Sequence, residues 1–307
     1  MICVSDFYRS IFGVKVYKIS LNAGCTCPNR DGTKGWGGCI FCSTKGSGDF
    51  IFEDDSLEKQ FEWGISLVKN KVKNSECLYI PYFQSFSSTY GDDASLIEKF
   101  SLAVKFPKTA GLAVATRPDC LSEKMLEGLG KISENKFIQI ELGLQTSSDE
   151  TGKVINRCYS CDDYENAVHN LKKKIPHVHI VTHLIFGLPG ENETDMMNSV
   201  KFVQDINRKY CGEKDFFGVK FTNLYVLKNT VLENMYLNGK FRCLEKDEYF
   251  SLLDKALDLL DERTVVHRFN GDPPKKEVVS PLWAMNKKKI ISDVSKLVLK
   301  RKSCAGH

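Results

Sequence analysis

A chain of 307 residues with 42% hydrophobic and 27% charged side chains has the composition of a globular protein, with length for one barrel-sized core or two ordinary domains. No apolar run approaches the roughly 20 residues that span a bilayer, and the opening MICVSDFYRSIFGVKVYKIS carries charge where a secretory leader is apolar. Membrane insertion and export are therefore disfavoured, and the compartment reads as cytoplasmic. The net charge of +4 is mild but uneven, because Lys287 to Lys302 hold seven basic residues against one acid. That tail reads either as a handle for a polyanion such as RNA or as a solvated helix packing Ile290, Ile291, Val294, Leu297 and Val298 on the body, and the two are compatible.

In chain order, the first candidate strand is Val14 to Leu21, followed by a cysteine- and glycine-rich loop over residues 24–48 and a helix over Leu57 to Lys71. Further strands are read at Cys77 to Phe83, Ala110 to Ala115, Phe137 to Leu142, His177 to Phe186 and Phe217 to Tyr225. Helical patterns separate them at Ala94 to Val104, Ser122 to Ile132, Tyr164 to Lys174 and Glu193 to Asn207. Ser122 and Asn192 supply capping side chains ahead of acids that suit a helix N-terminus. Regular alternation of strand and helix means parallel β/α units, and six strands are too few for the eight of a complete TIM barrel. That leaves a partial barrel or an open doubly wound sheet, and the fold expected is α/β, a partial (β/α)6 barrel over residues 1–235. A C-terminal α/β extension over 236–307 contains a helix at Glu245 to Asp261, a strand-like TVVHRF and the basic tail.

Twelve cysteines are many for a reducing compartment, where disulfides rarely persist. Six are scattered singly; the others fall in two groups, Cys25/Cys27/Cys39/Cys42 and Cys158/Cys161. The first group lies in Gly24 to Cys42, where five glycines and a proline forbid regular structure and permit tight turns and close backbone approach. Such a loop suits thiolates around an iron-sulfur cluster, with backbone N–H groups free to bond the cluster sulfurs. A tetrahedral zinc site stays open as the alternative, although Cys25-x-Cys27 is a poor chelating pair for zinc. Position favours the cluster, because loops at the C-terminal ends of parallel strands face the active site.

The stretch CPNRDGTKGWGGCIFCSTKGSGDF resembles the signature of the YhcC/YtqA-type radical S-adenosylmethionine (SAM) proteins, relatives of the elongator catalytic subunit and of oxygen-independent coproporphyrinogen oxidase. The resemblance continues through most of the chain. It implies a [4Fe-4S] cluster on Cys27, Cys39 and Cys42, with Cys25 a neighbour and the fourth iron open to the amino and carboxylate groups of SAM. It also implies reductive cleavage of SAM to a 5′-deoxyadenosyl radical, fed by an electron donor such as flavodoxin or ferredoxin. The spacing C-x11-C-x2-C departs from the common C-x3-C-x2-C but suits this branch.

The same resemblance distributes SAM contacts over later strand ends. Gln84 and Ser85, in Tyr82 to Phe86, fall where such enzymes hold the methionine amino group. Thr116-Arg117-Pro118-Asp119 matches a further family motif. Gln145 and Arg157, twelve residues apart, match a pair used for the ribose and carboxylate of SAM, a role that a bidentate guanidinium suits. His183 to Glu191, ending in GLPGE, reads as an adenine-stacking strand that brings backbone close at Gly187, and His183 stands where relatives carry an acid for the ribose. Leu227, in Leu224 to Thr230, reads as another adenine-side wall.

Cys158 and Cys161 lack the partners for a second cluster and read as a decoy. His267-Arg268 and Lys275-Lys276 are placed near the barrel mouth, where substrate would enter. The resemblance implies modification of tRNA, with the wobble-uridine side chain favoured. A small metabolite or peptide substrate, and a non-catalytic metal-bearing RNA-binding protein, are the alternatives.

Overall fold

The computed structural model describes residues 1–44, 46, 51–52, 54, 56–72 and 76–304, so positions 45, 47 and 48 of the predicted cluster loop lie outside it. The chain begins with β1 (Ile2–Cys3) and α1 (Val4–Phe12), then β2 (Lys15–Leu21), α2 (Leu57–Val72), β3 (Cys77–Phe83), α3 (Asp93–Ala103), β4 (Gly111–Thr116) and α4 (Glu123–Ser133). It continues through β5 (Phe137–Gln145), α5 (Asp149–Val154), α6 (Cys161–Lys174), β6 (His179–Phe186), α7 (Glu193–Tyr210), β7 (Phe217–Asn223), β8 (Val226–Leu227) and α8 (Val231–Leu237). The last elements are α9 (Lys246–Asp258), β9 (Thr264–Arg268), β10 (Val278–Ser280) and α10 (Lys287–Cys304).

Eight strands form one parallel sheet in the order β1-β9-β7-β6-β5-β4-β3-β2, curled into a half-barrel, while β8 and β10 pair antiparallel beside it. Six of the eight match the predicted strands to within three residues. Two more strands at one edge, β1 and β9, extend the predicted six. β1 is only two residues long, below any periodic signal, and the strand-like TVVHRF of the extension is β9, which pairs in parallel with β7. The boundary placed near residue 235 falls inside α8, and the chain beyond it continues the same sheet.

Strand ends and helix starts are set by local chemistry. Ser122 caps α4 by accepting from the Met125 N–H, and Asn192 caps α7 with Asp195 returning the bond, as their sequence contexts predict. The outer face of the sheet buries Leu21, Phe83, Leu112, Val114, Ile140, Leu184 and Phe221 against the helices. Each such side chain contributes about 1.5–3 kcal/mol by leaving water. On the inner face, α1 inserts Phe7 and Tyr8 into the base of the half-barrel against Ile80, Ala113 and Val265. β4 presents only small residues inward: a Cβ on Gly111 would lie 2.3 Å from the Phe137 carbonyl, and Ala113 and Ala115 leave space above the plug. That space is where the site develops.

The basic tail is the helix α10, and it is docked. Ile290 is buried, with Val294, Leu297 and Val298 half-buried, but Ile291 is 56% exposed, so it falls off the predicted packing stripe. Three of its cations are tied to the body, Lys287 to Asp272, Lys300 to Asp254, and Arg301 to Asp254 and Asp258.

Candidate active site

The loop after β2 is shaped by glycine. Gly24, Gly32, Gly37, Gly38 and Gly46 all have φ between 62° and 89°. Gly35 serves a close approach instead: a Cβ there would lie 2.3 Å from Asn29 Oδ1 and 2.9 Å from Cys158 Sγ. Arg30 ties the loop back on itself, donating to the Ser43 and Cys42 carbonyls and lying over the Phe86 ring.

A second segment, Ile155 to Cys158, grips this loop. Its Asn156 and Cys158 are held at φ 53° and 58°. Asn156 Nδ2 donates to the carbonyls of Gly38 and Trp36, at 2.8 and 3.2 Å. The Asn156 carbonyl accepts from Asn29 Nδ2, and the Ile155 carbonyl accepts from the Ile40 N–H. Asn29 Nδ2 also lies 3.8 Å from Cys39 Sγ, as an N–H donor to sulfur.

Cys27, Cys39 and Cys42 line one cavity of about 250 Å³ at the C-terminal ends of the strands. Burial, and then the nearby Cys42 and Cys27 thiols, push Cys39 up to about 12. Cys25 lies outside the cavity, half-buried against the outer core, where burial raises its thiol to about 11. The two sulfurs of Cys158 and Cys161 are outside it too.

The predicted SAM contacts divide. Gln84, Gln145, His183 and Leu227 line the cavity with the thiols. Gln84 Nε2 donates to Ser20 Oγ at 2.9 Å, and Gln145, at a register irregularity with φ 63°, accepts from the Tyr159 hydroxyl at 2.7 Å.

Three others are placed elsewhere. Ser85 is buried but off the cavity, because Phe86 at φ 53° turns the chain so that Ser87 faces inward instead. Gly187 is off the lining as well, its N–H on Met196 Sδ. Arg157 is fully buried, and its guanidinium donates to the carbonyls of Tyr159, Leu144 and Thr146, to Asp149 and to Cys161 Sγ. With every N–H engaged by the protein, it has none left for SAM. The guanidinium in the cavity wall at this height is Arg117, forked onto Asp119 and bonded to the Arg157 and Cys158 carbonyls.

The floor of the cavity holds a charged layer that sequence patterning did not reveal beyond His183 and Arg268. Glu141 is fully buried; Oε1 accepts from Lys18 and from Gln139, each at 2.7 Å. Its Oε2 accepts from Tyr82 at 2.6 Å, from His183 at 2.7 Å and from Lys220. Burial alone would raise Glu141, but Lys18 and Lys220 hold it well below the carboxylate range. Burial, then the Lys220 charge, lower His183 to about 4, so its imidazole is neutral and donates from Nε2.

Beside the cavity, burial and the nearby Asp195 charge raise Glu191 to about 7, with Thr146 as its hydroxyl donor and Oε2 buried without a partner among the described residues. A carboxyl raised in the folded state favours the neutral form, so its contribution is complete below the ordinary carboxyl range and is lost as pH rises toward 7. The loss amounts to at most roughly 3 kcal/mol. Thermal unfolding at pH 5 and pH 7.5 should therefore show Glu191→Gln gaining stability on the native chain as pH rises; an equal difference at both values would contradict the assignment.

The donor set fits the groups implied by this loop. Three thiols share a glycine-rich wall, an arrangement costly to ionise without a cation. Ser87 and Asn223 line the same cavity, with Ser87 Oγ and Asn223 Oδ1 buried and without partners among the described residues, and a ligand rich in ammonium and hydroxyl groups would satisfy them.

A family model described as the radical SAM superfamily matches residues 26–203, and one described as the radical SAM C-terminal domain matches residues 217–299. The chain belongs to the radical SAM superfamily, whose enzymes use a [4Fe-4S] cluster and SAM. Within it, the chain is 36% identical over 299 residues to YtqA of Bacillus subtilis, covering 97% of this chain and 89% of YtqA. It is 25% identical over 152 residues to a tRNA-2-methylthio-N(6)-dimethylallyladenosine synthase of Alkaliphilus oremlandii, covering 48% of this chain and 30% of that one. Among solved structures, the archaeal Elp3 of Methanocaldococcus infernus, lacking its N-terminus, shares the fold with a TM-score of 0.61 at 18% identity, over 86% of this chain and 59% of that one. No helix among the described residues is long and apolar enough to cross a membrane.

Proposed function

We propose that the protein is a tRNA-modifying radical SAM enzyme, with Cys27, Cys39 and Cys42 holding the cluster and Gln84, Gln145, His183 and Leu227 forming walls of the SAM site. The observation that carries this reading is the convergence of those three thiols and four side chains on one cavity. Ser87 and Arg117 join them in place of Ser85 and Arg157, and Gly187 acts through the turn after β6. When bound, the cluster and SAM supply a 5′-deoxyadenosyl radical that removes a hydrogen atom from substrate. The chain's own part is to orient SAM through Gln84 and Gln145, to hold His183 neutral through Glu141, and to exclude water behind the Phe7 and Tyr8 plug. A one-electron donor such as flavodoxin or ferredoxin is required.

The tRNA assignment is supported by the named activity of the Alkaliphilus relative and by the exposed Lys288, Lys289 and Lys296 on α10. The wobble-uridine side chain is the favoured target. Nucleosides from the tRNA of cells with and without the gene should differ by loss of one modified uridine and rise of its precursor. An unchanged profile would direct the search to small metabolites or peptides.

A further inference from the structure

Alternation along β9 would send His267 and Arg268 to opposite faces of the sheet. The pairing with β7 is irregular here, however: Val219 faces Val266 and the next residue, Lys220, faces Arg268, leaving His267 as the extra residue. Such a bulge re-aims side chains. His267 turns into the base, 2.7 Å from His179 and beside the ring of Tyr8, while Arg268 lines the cavity. Arg268 is exposed to that cavity and forms no hydrogen bond or ion pair among the described residues, unlike Arg30 and Arg117 on the same walls.

The basic side chains around it outnumber the acidic ones, and burial, with Arg268 among the repelling charges, lowers both Lys18 and Lys220. Lys18, Lys220 and Arg268 share the layer with a single carboxylate, Glu141, whose two oxygens already accept five bonds. Among the described residues nothing acidic remains in the cavity lining to receive the Arg268 fork. Across the strand pairings Glu141 stands beside Ala115, while Lys220 and Arg268 stand at the level of His183 and Gly143, one inward-facing residue nearer the strand ends.

We propose that Arg268, backed by the Lys220–Glu141–Lys18 layer, is a binding residue for an oxyanion of the substrate, a carboxylate or a phosphoester. The planar guanidinium suits either group by two parallel N–H···O bonds. This deepens the enzyme reading above and depends on it, but it does not depend on the substrate being tRNA.

The test uses the full chain, reconstituted anaerobically with SAM bound. Thermal unfolding is followed on titration with inorganic phosphate or with acetate, against sodium chloride of matched ionic strength. At least one oxyanion should raise the midpoint beyond chloride, and the one that does names the substrate's anionic group. Arg268→Met should weaken that binding roughly tenfold to a hundredfold, and Arg268→Lys should restore part of it. The SAM dissociation constant is read in the same samples. A loss confined to the oxyanion supports the subsite, whereas an equal loss of SAM affinity assigns the guanidinium to SAM and overturns it. No response of the native chain, or one that survives Arg268→Met, also overturns it. Failure of the native chain to bind SAM at all would instead remove the enzyme reading on which it rests.

Discussion

Replacing Cys39 with alanine should reduce the iron of anaerobically reconstituted protein from about four atoms per chain to less than one and abolish reductive SAM cleavage, while Cys25→Ser should keep both. The two cysteines are close in sequence, but they differ in what they face. Cys39 opens on the cavity beside Cys27 and Cys42 and receives the Asn29 amide. Cys25 packs against the outer core, where its thiol is held protonated by burial. Because Cys39 sits in a loop without regular structure, its truncation removes a ligand at little cost to the fold, so circular dichroism should be unchanged. A colourless Cys25→Ser protein would place that thiol in the ligand set. One tight zinc and no iron in the native chain would sink the cluster assignment altogether.

The difference between these two cysteines was readable only through the family resemblance; spacing by itself left zinc open. Other parts of the site were legible from residue patterns. Long strands such as Cys77–Phe83 and Phe217–Asn223 are apolar runs with turn signals at both ends, so their C-terminal ends could be placed, while the choice of Gln84 and Leu227 there came through the resemblance. What escaped depended on single backbone conformations. The left-handed Phe86 exchanges Ser85 for Ser87, and the bulge at His267 separates that side chain, turned into the base, from Arg268, which lines the cavity as placed; neither residue type announces that geometry. Glu141 and Lys220 escaped for another reason. Each sits mid-strand in an otherwise apolar run, and only the curl of the sheet brings Lys18, 123 residues away, onto the same carboxylate.

Arg157 is the sharpest case, and its replacement by methionine should cost about 3–5 kcal/mol, a fall in melting temperature on the order of 10 °C. The change would leave the Leu144, Thr146 and Tyr159 carbonyls without their donor and Asp149 without its cation. The damage should reach the cluster loop. With its side chain anchored at the end of β5, Arg157 fixes the segment whose Ile155 and Asn156 groups hold Ile40, Gly38 and Asn29. Its own carbonyl accepts from Arg117. Iron retention should therefore fall together with melting temperature. Arg157→Lys separates this positioning role from a direct contact with SAM. An ammonium keeps the charge but cannot span carbonyls on two sides and a carboxylate in the guanidinium plane, so it should recover only part of the stability and the iron. If Arg157 touched SAM instead, both variants would melt near the native temperature, keep their iron, and show only a raised SAM dissociation constant. That pattern would return Arg157 to the ligand-binding set, and the left-handed turn at Asn156 and Cys158 would then have to be held by the Asn156 bonds to the cluster loop alone.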